Sequence, residues 1–239
     1  MLSDKYGPWA VIAGGSEGVG AQFALLLAGS GINVVLVARK QQPLTEVAQQ
    51  CRRLGGEAVT VATDLADPAA VETLTAATRD REVGLLIYNA GANTASAEFL
   101  DAGLTDVAPV IDLNITTMLA LVHHYGAAMR RRRRGGILMV GSMAGYLGSS
   151  RHTVYGGVKA FTRIFAEGLW LELRDSGVDV LHLVLGVTRT PAMERAGLNF
   201  DVPGMRVSDP ADVARRNDPD RAKVVVGAHR FMQKLMGPT

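Results

Sequence analysis

The sequence predicts an α/β protein: a doubly wound parallel sheet covered by helices on both faces, formed as a single domain over residues 1–239. Three observations predict it. Short apolar runs alternate with longer stretches of helical period along the 239 residues, and strands that are apolar throughout are those buried on both faces. A chain 48% hydrophobic is long enough for one sizeable α/β core and too short for two independent ones. A glycine-rich turn, Gly14 to Gly20, joins the first strand to the first helix.

The elements follow in order. Trp9 to Ala13 is the first strand, and the glycine turn leads into a helix over about 20–29. Asn33 to Val37 is the second strand; Pro43 sits at the start of the next helix, 43–54, and Gly55-Gly56 ends it. Ala58 to Ala62 is the third strand, with Pro68 opening a helix over 68–79. Leu85 to Tyr88, Ile137 to Val140 and Val178 to Leu185 are further strands, separated by helices at 105–130 and 156–175. After Ala214 the pattern weakens. The polar stretch Arg215 to Arg221 precedes Lys223 to Gly227, which reads as a final strand or as the start of a terminal helix.

Composition narrows the function classes. A net charge of +2 is too small to point to nucleic acid. The run Arg130 to Arg134, followed by Gly135-Gly136, reads as a helix end, because cations favour a helix C-terminus and glycine terminates it. An anionic membrane or acidic partner is the alternative. The single cysteine, Cys51, leaves no pair for an internal disulfide and reads as a helix residue in a reducing compartment. Met1 to Tyr6 carries no signal-peptide core, and the longest apolar runs are broken by charge or glycine. A cytoplasmic protein without stable membrane insertion is expected. His123-His124 are placed in a buried helix with no carboxylate pair nearby, so no metal site is expected.

Glycines from Gly14 to Gly20 allow a tight turn and a close backbone approach to a pyrophosphate, and the following helix N-terminus offers free N–H groups to that anion. Their place after the first strand favours a nucleotide over a mere turn. The second strand ends in Ala38-Arg39-Lys40. No acid stands there to grip a free ribose diol, and two cations are available for a 2′-phosphate. NADP(H) is therefore favoured and NAD(H) remains possible; a solvated charge pair is the alternative. Asp64-Leu65 is positioned to hold the adenine amino group and Asn89-Ala90-Gly91 to support the adenosine side, with turn chemistry as the plain alternative.

Tyr155 and Lys159 stand four apart on one face of an apolar helix. A lysine cation favours the phenolate and lowers a tyrosine pKa from its usual value of about 10. Such a tyrosine gives a proton to a carbonyl oxygen or takes one from an alcohol. Ser142 lies thirteen residues upstream.

The glycine loop, Asp64, Asn89-Ala90-Gly91, Asn114, Ser142, Tyr155, Lys159 and Leu185-Gly186-Val187-Thr188-Arg189-Thr190, taken in that order, resemble the short-chain dehydrogenase/reductase family over almost the whole chain. The resemblance implies a Rossmann-type fold of three layers, α/β/α. It implies Tyr155 as general acid/base, with Lys159 tuning it and binding the nicotinamide ribose. Ser142 would hold the substrate oxygen, and Asn114 a helix bend and a water that relays protons to Lys159. Cofactor contacts are implied for Gly14, Ser16, Glu17, Gly18, Val19, Gly20, Arg39, Lys40, Asp64, Leu65, Asn89, Ala90, Gly91, Tyr155, Lys159, Gly186, Thr188 and Thr190. The chain departs from the family pattern at Ala13 for a usual threonine and at Leu185 for a usual proline. Glu17 stands where many NADP-dependent members carry a base, and the tail is short. Tyr6 to Val11 and Val34 to Arg39 look most like the hydroxysteroid dehydrogenase and beta-ketoacyl-CoA reductase branch, which implies a lipophilic ketone or alcohol.

The expected activity is NADP(H)-dependent interconversion of a carbonyl and a secondary alcohol. Thr94 to Phe99, Met143 to His152 and a substrate lid at about 191–206 are expected to take the small-molecule substrate. A catalytically idle NADP-binding regulatory or interaction protein is the competing reading. A sugar epimerase or dehydratase shares Tyr-x-x-x-Lys but needs more chain for its substrate domain. Helices 111–129 and 158–173 are apolar nearly all round, which predicts that a second subunit covers them in a homodimer or homotetramer.

Overall fold

A computed structural model describes residues 2–92, 96–195 and 197–215, together with the backbone of 222–225. The strands are β1 (Trp9–Ala13), β2 (Asn33–Ala38), β3 (Ala58–Ala62), β4 (Val83–Tyr88), β5 (Gly135–Ser142), β6 (Val178–Leu185) and β7 (Ala222–Val225). They form one sheet in the order β3-β2-β1-β4-β5-β6-β7. The expected parallel sheet is present over β1 to β6. The tail adds an antiparallel edge, with Ala222 to Val225 running against His182 to Leu185. Of the two readings of the tail, the strand is the one observed over 222–225. Residues 216–221 and 226–227 lie outside the described residues, as does Thr94 of the expected substrate contacts.

The helices are α1 (Leu2–Tyr6), α2 (Gly18–Gly29), α3 (Gln41–Arg53), α4 (Ala70–Ala77), α5 (Leu104–Ile111), α6 (Thr117–Arg132), α7 (Thr153–Leu173), α8 (Pro191–Arg195) and α9 (Pro210–Arg215). Successive strand residues point to opposite faces, so each strand feeds two cores. Ala10, Ile12, Leu36, Ile87 and Leu138 pack with Phe23 and Leu27 of α2 and Leu44 and Cys51 of α3. Val11, Val35, Leu86, Ile137 and Val180 pack with Leu74 of α4, Leu121 and Tyr125 of α6, and Leu173 of α7. Burial pushes the Cys51 thiol up to about 11, which keeps it unreactive.

The helix expected over 105–130 is not continuous. A π turn over Asp112–Thr116 separates α5 from α6, with Asn114 at its centre. The whole run Leu104–Arg132 is long and apolar enough, by length and composition, to cross a bilayer. That corrects the expectation that no such run exists. Here it lies on the sheet, burying Met118, Leu121, Val122, Tyr125 and Met129. His123 and His124 are exposed on α6, not buried as expected, because only one side of α6 packs on the sheet.

The arginine run does more than end a helix. Arg133 takes a left-handed conformation, φ 53, at the end of α6. Arg132 donates to the Val83 carbonyl at 2.6 Å and Arg133 to the Asp175 carbonyl at 3.0 Å. Arg134 donates to the Asp4 carbonyl at 3.0 Å and pairs with Glu82. Three cations thus bind the lower edge of the sheet together, using carbonyls left over at strand and helix ends.

Two apolar faces have no cover among the described residues. Ile111, Phe161, Ile164 and Leu171 are exposed, and the Phe161 and Phe165 rings stack with centroids 5.9 Å apart.

One buried residue escaped the sequence reading. His182 of β6 is 1% exposed, and neither ring nitrogen finds a hydrogen-bond partner among the described residues. Its ring lies where a side chain at Gly141 of β5 would be. Burial first, then the charges of Lys159 and Arg163, push its pKa down to about 4. Between pH 6.5 and pH 4 the unfolded chain therefore binds a proton that the folded chain refuses, and stability falls as pH drops through that window. The loss is on the order of 3 kcal/mol. In His182→Leu the fall in melting temperature between these pH values should be several degrees smaller than in the parent. Identical pH profiles of melting temperature would refute the assignment.

Candidate active site

The strand order reverses between β1 and β4, which opens a crevice at the carboxyl ends of the strands. The glycine loop lies there. Gly14 has φ 80 and Gly18 φ 56, a backbone region that side chains disfavour. The Gly14 and Gly15 N–H groups donate to the Val37 carbonyl at 2.8 and 3.1 Å. A side chain on Gly20 would collide with the Gly14 carbonyl oxygen. That same oxygen accepts from Asn89 Nδ2 at 2.9 Å, so Asn89 ties the turn after β4 to the loop after β1. A Cβ on Gly14 would meet Ala90 N at 2.9 Å. Ser16, Glu17 and Gly18 remain partly accessible while Val19 and Gly20 are buried, as expected of a loop passing into a helix.

Arg39 and Lys40 are exposed beyond the end of β2. Arg39 Nη1 lies 4.0 Å from Asp64 Oδ2, a loose pairing that leaves its guanidinium available. Asp64 Oδ1 accepts from Ala66 N at 3.0 Å, which shapes the turn after β3. Leu65 is buried and its carbonyl accepts from Thr117 Oγ1 at 2.7 Å. Beyond β6, Gly186 is exposed, and Thr188 Oγ1 donates back to its carbonyl at 3.3 Å. A Cβ on Gly18 would lie 3.0 Å from Thr190 Cγ2, so the segment after β6 reaches the glycine loop.

Asn114, Ser142, Tyr155 and Lys159 converge above the ends of β4 and β5. Lys159 is 5% exposed. Its Nζ donates to the Val140 carbonyl at 3.2 Å and lies 5.6 Å from the centroid of the Tyr155 ring. Burial pushes its pKa down to about 8. Ser142 hydrogen-bonds Tyr155, and that bond favours the phenolate. Burial is the larger influence and raises the tyrosine pKa. In the chain alone, desolvation outweighs the Ser142 hydrogen bond.

Asn114 Nδ2 donates to the Val110 carbonyl at 2.9 Å, an acceptor that a regular helix gives to the Asn114 backbone N–H. It also reaches the Ala92 carbonyl at 3.3 Å. Its Oδ1 is buried with no partner among the described residues. A Cβ on Gly91 would lie 2.7 Å from that oxygen and 2.6 Å from Lys159 Nζ, so both polar atoms face the same point. Tyr88 Oη pins the π turn through the Leu113 carbonyl at 2.5 Å.

A short 3₁₀ turn, Met143–Gly145, follows β5, and Ser142 Oγ caps it by accepting from Ala144 N at 3.2 Å. A Cβ on Gly145 would meet the Lys159 carbonyl carbon at 2.8 Å. This close approach, which the sequence reading did not single out, holds Ser142 beside Tyr155.

The residues fit a dinucleotide: a glycine cradle that Cβ atoms would fill, a helix N-terminus behind it, and a buried lysine with an unpartnered amide oxygen facing one point. The model of the short chain dehydrogenase family matches residues 8–199. The chain belongs to this family. It is an oxidoreductase of the kind that acts on CH–OH donors with NAD(P) as acceptor. It is similar to a 7beta-hydroxysteroid dehydrogenase of Collinsella aerofaciens, 35% identical over 193 residues covering 80% of this chain and 73% of the relative. It is also similar to a very-long-chain 3-oxoacyl-CoA reductase of Neurospora crassa, 35% identical over 196 residues covering 80% of this chain and 59% of the relative. Among solved structures, one of a 7beta-hydroxysteroid dehydrogenase superposes with a TM-score of 0.81 at 32% identity, covering 89% of this chain and 83% of that one. A short-chain dehydrogenase from Sphingobium yanoikuyae in complex with NADPH gives 0.80 at 30% identity, covering 87% and 81%.

Proposed function

We propose that this short-chain dehydrogenase interconverts a carbonyl and a secondary alcohol on a lipophilic substrate, with NADP(H) as its cofactor. The observation that carries the reading is the hydrogen-bond contact of Tyr155 with Ser142 beside the buried Lys159. Tyr155 donates its proton to the substrate oxygen in reduction and takes one back in oxidation. Burial keeps the resting phenol protonated, which is the form reduction needs. Ser142 Oγ holds the substrate oxygen in line with Tyr155. Lys159 binds the nicotinamide ribose, and Asn114 Oδ1 accepts from a water that links Lys159 to solvent. When bound, the nicotinamide gives or takes the hydride.

The lipophilic substrate is supported by the loops at the carboxyl ends of β4, β5 and β6. Phe99, Leu100, Met143, Leu147, Met193 and Val202 are exposed there. Residues 191–206 act as the substrate lid of a single domain. A parallel bridge between Thr188 and Ser208 closes the base of that segment. The names of the two relatives, a steroid dehydrogenase and an acyl-CoA reductase, accord with bulky apolar substrates. NADP(H) is supported by the exposed Arg39 beyond β2, by the lack of an acid at that strand end, and by a relative crystallised with NADPH. A homodimer or homotetramer is supported by the exposed apolar residues of α5 and α7.

Tyr155→Phe keeps the ring and removes the proton carrier. It should lower the turnover of NADPH-dependent ketone reduction by about 10²–10⁴-fold while leaving the NADPH dissociation constant within about twofold. Turnover within a few-fold of the parent would exclude Tyr155 as the acid. Arg39→Ala removes charge-assisted bonds worth about 1.5–3 kcal/mol each. It should weaken NADPH at least tenfold (about 1.4 kcal/mol) and NADH little; equal weakening of both would make Arg39 a surface charge. Light scattering at micromolar concentration should give a dimer or tetramer, and Ile164→Glu should shift it toward monomer. A monomeric parent would remove the case for a subunit cover.

A further inference from the structure

Glu17 stands at the N-cap of α2, at the mouth of the glycine loop, yet its side chain makes no capping bond. Both carboxylate oxygens are instead taken by Arg195 at the end of α8. Nη1 reaches Oε2 at 3.0 Å and Nη2 reaches Oε1 at 2.5 Å. This is the fork geometry in which a guanidinium recognises a carboxylate most specifically. The pair spans 178 residues of sequence, so it ties the segment after β6 to the loop after β1. A second contact places the same segment on the same loop: Thr190 lies against Gly18. Thr190 Oγ1 also accepts from Met193 N at 3.3 Å, which fixes the start of α8. The segment base is held by the Arg189 N–H on the Ser208 carbonyl and the Ser208 N–H on the Val187 carbonyl, each at 2.9 Å. Arg195 is therefore delivered to Glu17 from an anchored stem.

We propose that Arg195 is a cofactor-selectivity residue: a cation supplied by the lid segment that cancels Glu17 beside the phosphate-binding loop. Without it, the loop rejects the more highly charged cofactor. The proposal rests on the NADP(H) reading. An uncancelled carboxylate at the start of α2 occupies the positive end of the helix dipole that a pyrophosphate needs. It repels a 2′-phosphate further, since that group adds a charge of roughly −1.5 to −2. Arg39 does not cancel Glu17, because its own nearest carboxylate is Asp64. Glu17 and Arg195 side chains are 33% and 58% exposed, so their attraction adds little to stability. What Arg195 changes is the local charge that an incoming phosphate meets. Position 17 thus remains compatible with NADP(H) although its own side chain carries the wrong sign.

The test is a charge cycle read by calorimetric titration of NADPH and NADH at low salt, on the parent, Arg195→Gln, Glu17→Gln and the double variant. Arg195→Gln should weaken NADPH about tenfold and NADH about two- to threefold. Glu17→Gln should bind NADPH at least as tightly as the parent. The double variant should return to within about twofold of the parent, because the net local charge is restored while the contact stays broken. An unchanged NADPH constant in Arg195→Gln overturns the proposal, as does a Glu17→Gln variant weaker than the parent. A double variant as weak as Arg195→Gln also overturns it, by showing that Arg195 acts by holding the segment and not by its charge. A parent that prefers NADH overturns the NADP(H) reading itself and is seen before any variant is compared.

Discussion

The site depends on one steric constraint: the turn after β5 must lie against the first turns of α7. Gly145 makes that possible, since any side chain there would enter the α7 backbone at Lys159. Gly156 repeats the condition from the other side, where a Cβ would come within 3.1 Å of the Ala144 carbonyl. With the two segments in contact, Ser142 and Tyr155 meet although they arise from different elements. Lys159, one helical turn further on, is driven down to the Val140 carbonyl. The same approach desolvates both titratable groups, so burial, not charge pairing, leads the shift at each.

Much of this was legible in the sequence because its causes are local. Apolar runs mark strands, and six of the seven strands fall where such runs predict them, within about two residues at each end. A four-residue step places Tyr155 and Lys159 on one helix face whatever surrounds them. The glycine loop announces itself because φ near +80 at Gly14 and the closeness of Gly20 to the Gly14 carbonyl admit little else. What the sequence did not yield depends on meetings between distant segments. Gly145 and Gly156 look like ordinary turn and helix glycines until the turn and α7 are side by side. His182 looks like an interrupted apolar strand until Gly141 on the neighbouring strand is seen to make room for its ring. Arg195 gives no signal by itself, because its partner lies at the other end of the chain.

The arginine run shows the same limit from another angle. Its composition suggested a helix end, and α6 does end there. Where each guanidinium would go was not readable, since the acceptors are carbonyls of Asp4, Val83 and Asp175, contributed by three separate parts of the chain. Backbone acceptors carry no sequence mark.

The π turn at Asp112–Thr116 has a consequence for how this protein tolerates change in length. A π turn holds one residue more than a regular turn, so deleting one residue within it would give a better-bonded α-helix. Because the π turn takes up that residue within one revolution, α5 and α6 would stay nearly in phase. What would be lost is the local bulge that frees the Val110 carbonyl for Asn114 Nδ2 and turns Asn114 Oδ1 toward the point it shares with Lys159 and Gly91. The locally favourable repair would cost the site. The irregularity behaves like an escapement tooth: a defect in the helix by itself, and the part on which the site engages.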